Sequence, residues 1–180
     1  MLKKLPHAIF AVSAALLVLA PTSLAATLDP GQITEYRQNC SGAQINLQQI
    51  QKHDAVARIN RGRAYDSMLR QVSALNSRLA YNKIPSASEF TQITADMQAR
   101  VESFREAYRT YDEQLIQAIN VDCKQHTSEF HTSLTLARTH RAAVASQVTA
   151  IAQLITDYRN KLADYWASLP TDTINGVTTQ

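Results

Sequence analysis

The chain has 180 residues, with 18 Lys and Arg against 15 Asp and Glu, and apolar residues make up 45% of it. This composition supplies enough apolar side chains for the core of one domain. It excludes a collagenous chain, a disulfide-dense miniprotein and a wholly disordered chain. It does not point to a particular chemistry.

The first 26 residues have the pattern of a secretory signal peptide. Lys3 and Lys4 precede an apolar run at 8–20, and small residues at 23–26 provide a cleavage site. The run is short for a membrane span, which needs about 20 apolar residues. We therefore expect an exported protein that is periplasmic, at the cell surface or secreted. The alternative is an uncleaved N-terminal anchor.

Signal cleavage would remove Lys3 and Lys4 and leave 16 basic against 15 acidic side chains. A nearly neutral chain argues against nucleic acid or anionic lipid as the main partner. No second long apolar run follows the signal. We therefore expect no stable membrane insertion after cleavage.

Proline is scarce in the rest of the chain, where Pro85 is the only one between Pro30 and Pro170. Proline inside a helix costs about 3 kcal/mol, so long stretches without it favour helices. Apolar residues recur in alternating steps of four and three over 97–118 and 130–169. This repeat is typical of a coiled-coil seam.

The first segment has the same repeat from Ile33 to Met68, followed by a one-residue shift that indicates a local discontinuity. We predict helices at about 30–83, 86–120 and 124–169, in a single domain at 27–169. The prediction leaves open whether the first helix breaks at Ser41-Gly42. A disordered tail is expected at 170–180.

Capping residues mark the predicted helix starts. Asp29 precedes Pro30, and Ser86 has Glu89 three residues later, the spacing of a capping box. Asp122 repeats that spacing, with Thr127 as an alternative cap. Because the connections are short, neighbouring helices must run antiparallel. The predicted fold is all-α: an elongated up-down-up three-helix bundle or coiled coil.

Cys40 and Cys123 are the only cysteines. An even count in an oxidising compartment favours a disulfide bond. A hairpin centred on Pro85 leaves the two cysteines about 10 Å apart along the helix axis, at 1.5 Å per residue. A connection that descends past the second helix would cover this gap. The alternatives are free thiols or a zinc site that includes His126 and His131.

The most distinctive stretch is the basic and polar segment 58–66. Asp54 and Arg61 occupy seam positions where an apolar residue is expected, and charged residues of the other two helices are expected at the same height. The candidate cluster comprises Asp54, Arg58, Arg61, Arg63, Asp66, Arg109, Asp112, Glu113, Arg138 and Arg141. We interpret it as a partly buried layer of ion pairs that fixes helix register. The alternative is an anion-binding patch, because arginine binds carboxylates and phosphates bidentately.

The sequence has no nucleophile elbow, zinc-protease, phosphate-loop or dinucleotide-binding motif. We therefore expect a protein that is not an enzyme and has no cofactor. Five tyrosines lie on the predicted seams, where a ring can be buried while its hydroxyl reaches a polar group. We interpret them as core residues, with ligand stacking as the alternative. They are Tyr36, Tyr108, Tyr111, Tyr158 and Tyr165.

In several short segments the chain resembles uncharacterised exported helical proteins of ultrasmall, reduced-genome bacteria. The resemblance covers nearly the whole mature chain and implies no function. It implies that the two cysteines belong together and that the polar cluster is one unit. In size and helical content the chain is also similar to periplasmic chaperones with helical arms, a likeness of architecture only. The segments that carry the first resemblance are Asn39-Cys40, the run from Asn60 to Tyr65, Phe104-Arg105 with Tyr108, Tyr111-Asp112, Asp122-Cys123-Lys124, and Ala137-Arg138 with Arg141.

Two functional hypotheses follow from the sequence. The first is a non-enzymatic interaction or structural module of the cell envelope or extracellular space, with an unidentified protein partner. The second is a periplasmic chaperone or carrier that holds apolar clients and therefore needs an exposed apolar patch. Candidate residues for that patch are Ile45, Val56, Ile59, Ile116, Ile119 and Leu154.

Overall fold

The computed structural model describes residues 28–169, which form three long α-helices and, within that range, no strand. The helices are α1 (Pro30–Tyr81), α2 (Ala87–Asn120) and α3 (Thr127–Ala167). The predicted all-α bundle is confirmed, and each helix ends within a few residues of its predicted bounds. The predicted signal peptide and the tail at 170–180 lie outside the described residues.

The start of α1 is a complete capping box. The Asp29 carboxylate accepts a hydrogen bond from the Gln32 N–H, and the Gln32 side chain accepts one from the Asp29 N–H. Pro30 occupies the first turn, where its missing N–H costs nothing. The helix then continues without a break through Ser41-Gly42 for 52 residues, or about 78 Å. The possible break at this position is therefore absent.

The predicted capping box at the start of α2 is wrong. Ser86 precedes the helix but makes no side-chain capping bond. Its φ of −82° and ψ of 2° differ from the extended backbone that an N-cap side chain needs to reach back into the first turn. The Ser86 carbonyl instead accepts hydrogen bonds from the N–H groups of Glu89 and Phe90.

The start of α3 also differs from the prediction. The Asp122 carboxylate accepts hydrogen bonds from the N–H groups of Lys124 and Gln125, but it does so in the turn that precedes the helix. The helix begins three residues later than predicted, at Thr127. The Thr127 hydroxyl donates to the Cys123 carbonyl and does not cap the helix.

The central element of the bundle is α2, which packs against both neighbours, most extensively against α3. Its predicted seam is buried at every position, from Met97 to Ala118. Burial of a large apolar side chain such as Phe90 or Phe104 stabilises the fold by about 1.5–3 kcal/mol. In contrast, α1 and α3 make few contacts with each other. The space between α1 and α3 is therefore not completely closed, although the α2 side chains beneath it are almost fully buried.

A buried hydrogen-bond network joins all three helices near the α1–α2 turn. The Asn76 side-chain amide donates to the Thr94 hydroxyl at 2.7 Å and to the Phe90 carbonyl at 3.1 Å. The Tyr158 hydroxyl donates to Asn76 Oδ1 at 2.8 Å. Because a buried polar group needs its partner, this network favours one axial alignment of the helices.

The opposite end of the bundle is closed by a disulfide bond between Cys40 and Cys123, whose Cα atoms are 5.6 Å apart. Both cysteines are buried. The backbone becomes extended at Val121, so the α2–α3 connection descends toward Cys40. The Gln44 amide donates to the carbonyls of Ile119 and Val121 and so satisfies acceptors at the end of α2. The predicted disulfide bond is confirmed.

None of the helices between residues 28 and 169 combines the length and the apolar character that a membrane span requires.

Candidate functional site

A groove of about 470 Å³ lies between α1 and α3, with α2 as its floor. The floor consists of Phe104, Tyr108 and Tyr111, whose rings meet edge to face at centroid distances of 6.0 and 5.6 Å. Small side chains, including Ala57 of α1 and Ala142 of α3, form part of the walls. Since alanines cannot bridge the space between the two helices, the groove stays open to solvent.

Among the residues that the structure describes, one carboxylate lines the groove, and it connects all three helices. Asp54 of α1 accepts a hydrogen bond from the Tyr111 hydroxyl of α2 at 2.7 Å. It also accepts two hydrogen bonds from the Arg141 guanidinium of α3, at 3.1 and 3.2 Å. The Asp54 side chain is 19% exposed, whereas that of Arg141 is 59% exposed. This bridge is therefore anchored inside the groove and reaches solvent at its outer edge.

Contacts with Asp54 affect the titration of its partners. Burial, followed by the hydrogen bond to Asp54, raises the pKa of Tyr111 well above its usual value. The same carboxylate raises the pKa of Arg141 through its hydrogen bonds. At neutral pH both partners therefore keep the protons that they donate to Asp54.

Tyr108 has a buried hydroxyl that makes no hydrogen bond to any described residue. Burial, with a further contribution from the negative charge of Asp54, raises the pKa of Tyr108 to about 12. The Arg58 guanidinium lies 5.4 Å from the centroid of the Tyr108 ring, a distance suited to a cation–π interaction. The floor of the groove therefore holds a protonated, unpaired hydroxyl beneath a cation.

Positive charge dominates the walls of the groove. Within the range 28–169, four arginines line it together with a single carboxylate, that of Asp54, which is paired with Arg141. Arg58, Arg61 and Arg138 form no ion pair with any residue in the range 28–169. The groove thus carries three guanidinium groups that no described carboxylate neutralises.

The other half of the predicted cluster lies elsewhere. Asp66 pairs with Arg105, which links α1 to α2. Arg109 pairs with Glu106 and Glu113 on the exposed face of α2, and these two carboxylates raise the pKa of Arg109. Asp112 accepts a hydrogen bond from Gln51 at 3.5 Å. Arg63 is exposed on α1 and does not line the groove.

The predicted partly buried layer of ion pairs is therefore present only in part: Asp54 pairs with Arg141 of α3 and Asp66 with Arg105 of α2. Arg61 lies exposed on the rim of the groove, although its position in the repeat predicted a site between helices. Of the α2 acids that were expected to face it, Glu113 pairs with Arg109 on the exposed face of α2, and the half-buried Asp112 accepts a hydrogen bond from Gln51 of α1. The cluster separates into a groove set and an outer set. The groove set is Asp54, Arg58, Arg61, Arg138 and Arg141.

The geometry does not support the two alternatives to the disulfide bond, namely free thiols and a zinc site that includes His126 and His131. Cys40 and Cys123 are bonded to each other, so neither supplies a thiolate to His126 or His131. His131 packs edge to face against Tyr36 at 5.5 Å, at the disulfide end of the bundle. Among residues 28–169 no three His, Cys, Asp or Glu side chains are arranged to hold a metal ion.

A second groove of about 310 Å³ lies further along the same side, toward the α1–α2 turn. Its lining is mainly apolar and includes Met68, Val72 and Leu75 of α1 and Leu162 of α3. Polar side chains occur at its edge, including Gln71 and Arg159. The apolar repeat in the sequence did not predict this groove.

A combination of signals in the sequence marks the first groove. Alanine and arginine share the positions that face across it, with Ala57 and Arg61 four residues apart on α1 and Arg138 and Ala142 four apart on α3. Residues four apart lie on the same face of a helix. A small residue beside a long cation leaves a gap edged by charge, whereas a large apolar residue would close the gap.

No protein-family model, curated protein or solved structure matches the chain.

The chemistry of the groove suits an oxyanion. Guanidinium groups form paired hydrogen bonds with carboxylates and phosphates. The aromatic floor of Phe104, Tyr108 and Tyr111 lies beneath the arginines, and the Tyr108 hydroxyl itself is buried. Interface sites with buried tyrosines and arginines carry large shares of binding energy in protein complexes. The arrangement is therefore suited to an anionic group carried on an apolar or peptide framework.

Proposed function

We propose that the protein is a non-enzymatic interaction module of the cell envelope or extracellular space, and that it holds an acidic segment of a partner protein in the groove between α1 and α3. The observation that carries the proposal is the excess of cations in the groove. Arg58, Arg61 and Arg138 face the space above Tyr108 without a described counter-charge. A partner carboxylate would supply that charge.

Export is the expected setting for this function. The pattern at the start of the sequence predicts a secretory signal peptide. The buried disulfide bond between Cys40 and Cys123 is compatible with an oxidising compartment. Because the α1–α2 and α2–α3 connections are short and the bundle is cross-linked at one end, the groove is presented on a stiff support.

An exposed apolar stripe on α1 favours a second candidate, the chaperone or carrier. Ile45, Val56 and Ile59 are 56%, 58% and 48% exposed, and they project within about 60° of one another around the helix. Ile116 is also exposed, but Ile119 and Leu154 pack against the core. Only part of the predicted apolar patch is therefore available to a client.

Site-specific crosslinking in the producing cells tests the proposal. A photoreactive phenylalanine analogue at Ala142, an exposed wall of the groove, should capture one partner through an acidic peptide. Arg61→Gln should weaken binding of that partner about tenfold, because a charge-assisted hydrogen bond contributes about 1.5–3 kcal/mol. It should change the free energy of unfolding by less than about 0.5 kcal/mol, because Arg61 is exposed.

The matched control is Arg63→Gln, which removes the same charge from the same helix outside the groove. Binding should change little in this variant. Equal losses in both variants would show that net charge matters and that the groove does not. Capture of many unrelated unfolded proteins, abolished by Val56→Ser and insensitive to Arg61→Gln, would favour the chaperone or carrier.

A further inference from the structure

The cationic groove and the apolar groove lie on the same side of the bundle. Both have walls from α1 and α3 and a floor from α2. Arg58 in the first and Val72 in the second are 14 residues apart on α1, which corresponds to about 21 Å along the helix axis. The two grooves are therefore successive parts of one face.

This face is the position that a fourth helix would take. In an antiparallel bundle four helices surround a shared core, and each one covers the seam between two neighbours. Here α1 and α3 each pack on α2 but make few contacts with each other. In the α1 sequence Tyr65 and Leu69 lie between Arg61 of the first groove and Val72 of the second, and both are partly buried against the core. The open side is thus elongated, parallel to the helices and lined by side chains of three elements.

We infer that the occupant is a single amphipathic helix of the partner protein, with carboxylates at one end and apolar side chains at the other. This inference rests on the proposed function and extends it. Carboxylates of the helix contact Arg58, Arg61 and Arg138. About 14 residues further along the same helix, apolar side chains fill the space among Met68, Val72 and Leu162. Helices dock into apolar grooves through side chains spaced three and four residues apart.

Charge complementarity and shape favour a helix over a lipid. A fatty acid also has an anionic end and an apolar chain of similar length. However, both grooves are open to solvent, whereas small-ligand sites bury most of the ligand surface. A helix has its own polar outer face, so it can lie in an open groove while that face remains hydrated.

Two crosslinking positions test the inference in the full-length exported protein. The photoreactive analogue is placed at Ala142 in the cationic groove or at Gln71 in the apolar groove. The control position is Arg70, which is exposed next to Gln71 and lines neither groove. We expect adducts with the same protein at 142 and 71, and none at 70. The crosslinked peptides should lie about 10–18 residues apart in the partner, with the acidic peptide at 142.

A synthetic peptide that spans both crosslinked segments provides the second measurement. It should gain helical circular dichroism on binding. Replacement of its apolar residues by serine should weaken binding at least tenfold, while its acidic residues are kept. The Arg61→Gln variant should weaken binding of both peptides by a similar factor, because the acidic contact is common to them.

The outcomes separate the inference from the proposed function. A protein adduct at 142 with a lipid adduct or no adduct at 71 would contradict the inference of a single bound helix. The proposal of an acidic partner segment in the cationic groove would still stand. Adducts at 142 and 71 that map to distant parts of the partner sequence would also contradict the single helix and not the acidic partner. The absence of any acidic protein adduct at 142 would overturn both proposals.

Discussion

At the scale of single residues, Tyr108 and Tyr111 form a matched pair. Both are buried on α2 in the floor of the groove, but only the Tyr111 hydroxyl has a partner, Asp54, within the described range. Tyr108→Phe should raise the free energy of unfolding by about 1 kcal/mol, because it removes a buried unpaired hydroxyl. Tyr111→Phe should lower it by about 1–2 kcal/mol, because Asp54 loses a hydrogen bond. Urea denaturation measures both. An equal loss of unfolding free energy in the two variants would show that the Tyr108 hydroxyl has a hydrogen-bond partner in solution.

The same two hydroxyls predict sensitivity to alkali. Burial raises the pKa of Tyr108 to about 12, and the pKa of Tyr111 is also raised. In the unfolded chain tyrosine titrates near 10, so above that pH the unfolded state binds fewer protons than the folded state. The contribution of these two hydroxyls to stability should therefore be constant below about pH 10 and fall as the pH rises from 10 toward 12. Urea denaturation between pH 9 and 12 should show this fall, with a smaller slope in Tyr108→Phe. A stability that rises over this range would contradict the assignment.

At the scale of the helices, the buried network at Asn76 performs the task that the sequence interpretation gave to the arginine cluster. Tyr158→Phe should lower the free energy of unfolding by about 1–3 kcal/mol, because Asn76 Oδ1 is left buried without its donor. The control is Tyr165→Phe, on the same helix, whose hydroxyl makes no hydrogen bond within the described range; its effect should be below about 0.5 kcal/mol. Chemical denaturation compares the two variants. A Tyr158→Phe variant as stable as the parent would show that Asn76 finds another partner.

The spacing of Asn76 explains why the network was missed. Leu69, Val72, Asn76 and Leu79 follow the steps of three and four that apply after the one-residue shift in α1. A polar residue at such a position in a coiled coil often specifies register. After the shift the apolar residues Val72, Leu75 and Leu79 also fit the repeat, so the sequence favoured Leu75 for the seam over Asn76, which is buried in the structure.

At the scale of the whole molecule, the disulfide bond joins residues separated by 83 positions. Closure of a loop of this length restricts the unfolded chain, and the expected stabilisation is about 4 kcal/mol. The double variant Cys40→Ala with Cys123→Ala should lose about this amount in urea denaturation. Its groove should still bind the partner, because Cys40 and Asp54 are 14 residues, or about 21 Å, apart on α1. Freely alkylated thiols in protein taken from the oxidising compartment would contradict the bond itself.

Local and repetitive features of the sequence determined the three helices, the seams of α2 and α3, and the disulfide bond. Proline scarcity and the 3.5-residue repeat act within each segment, so their consequences follow without knowledge of the neighbours. The two cysteines allow a single intramolecular pairing. Helix starts were less certain, as Ser86 shows, because a cap depends on the backbone angles of one residue.

Only the tertiary structure decided which charged residues share a site. The repeat in α1 indicates on which side of α1 Arg61 lies. It does not indicate the distance between α1 and α3 at the level of Arg61. The rotation of α2 directs Arg109 and Glu113 to solvent and the ring of Tyr108 inward. The sequence therefore predicted a neutralised layer, whereas the separation of α1 and α3 leaves an open groove in which Arg58, Arg61 and Arg138 have no ion-pair partner within the described range. Helix separation and rotation result from packing across all three elements, and no single segment of the chain contains that information.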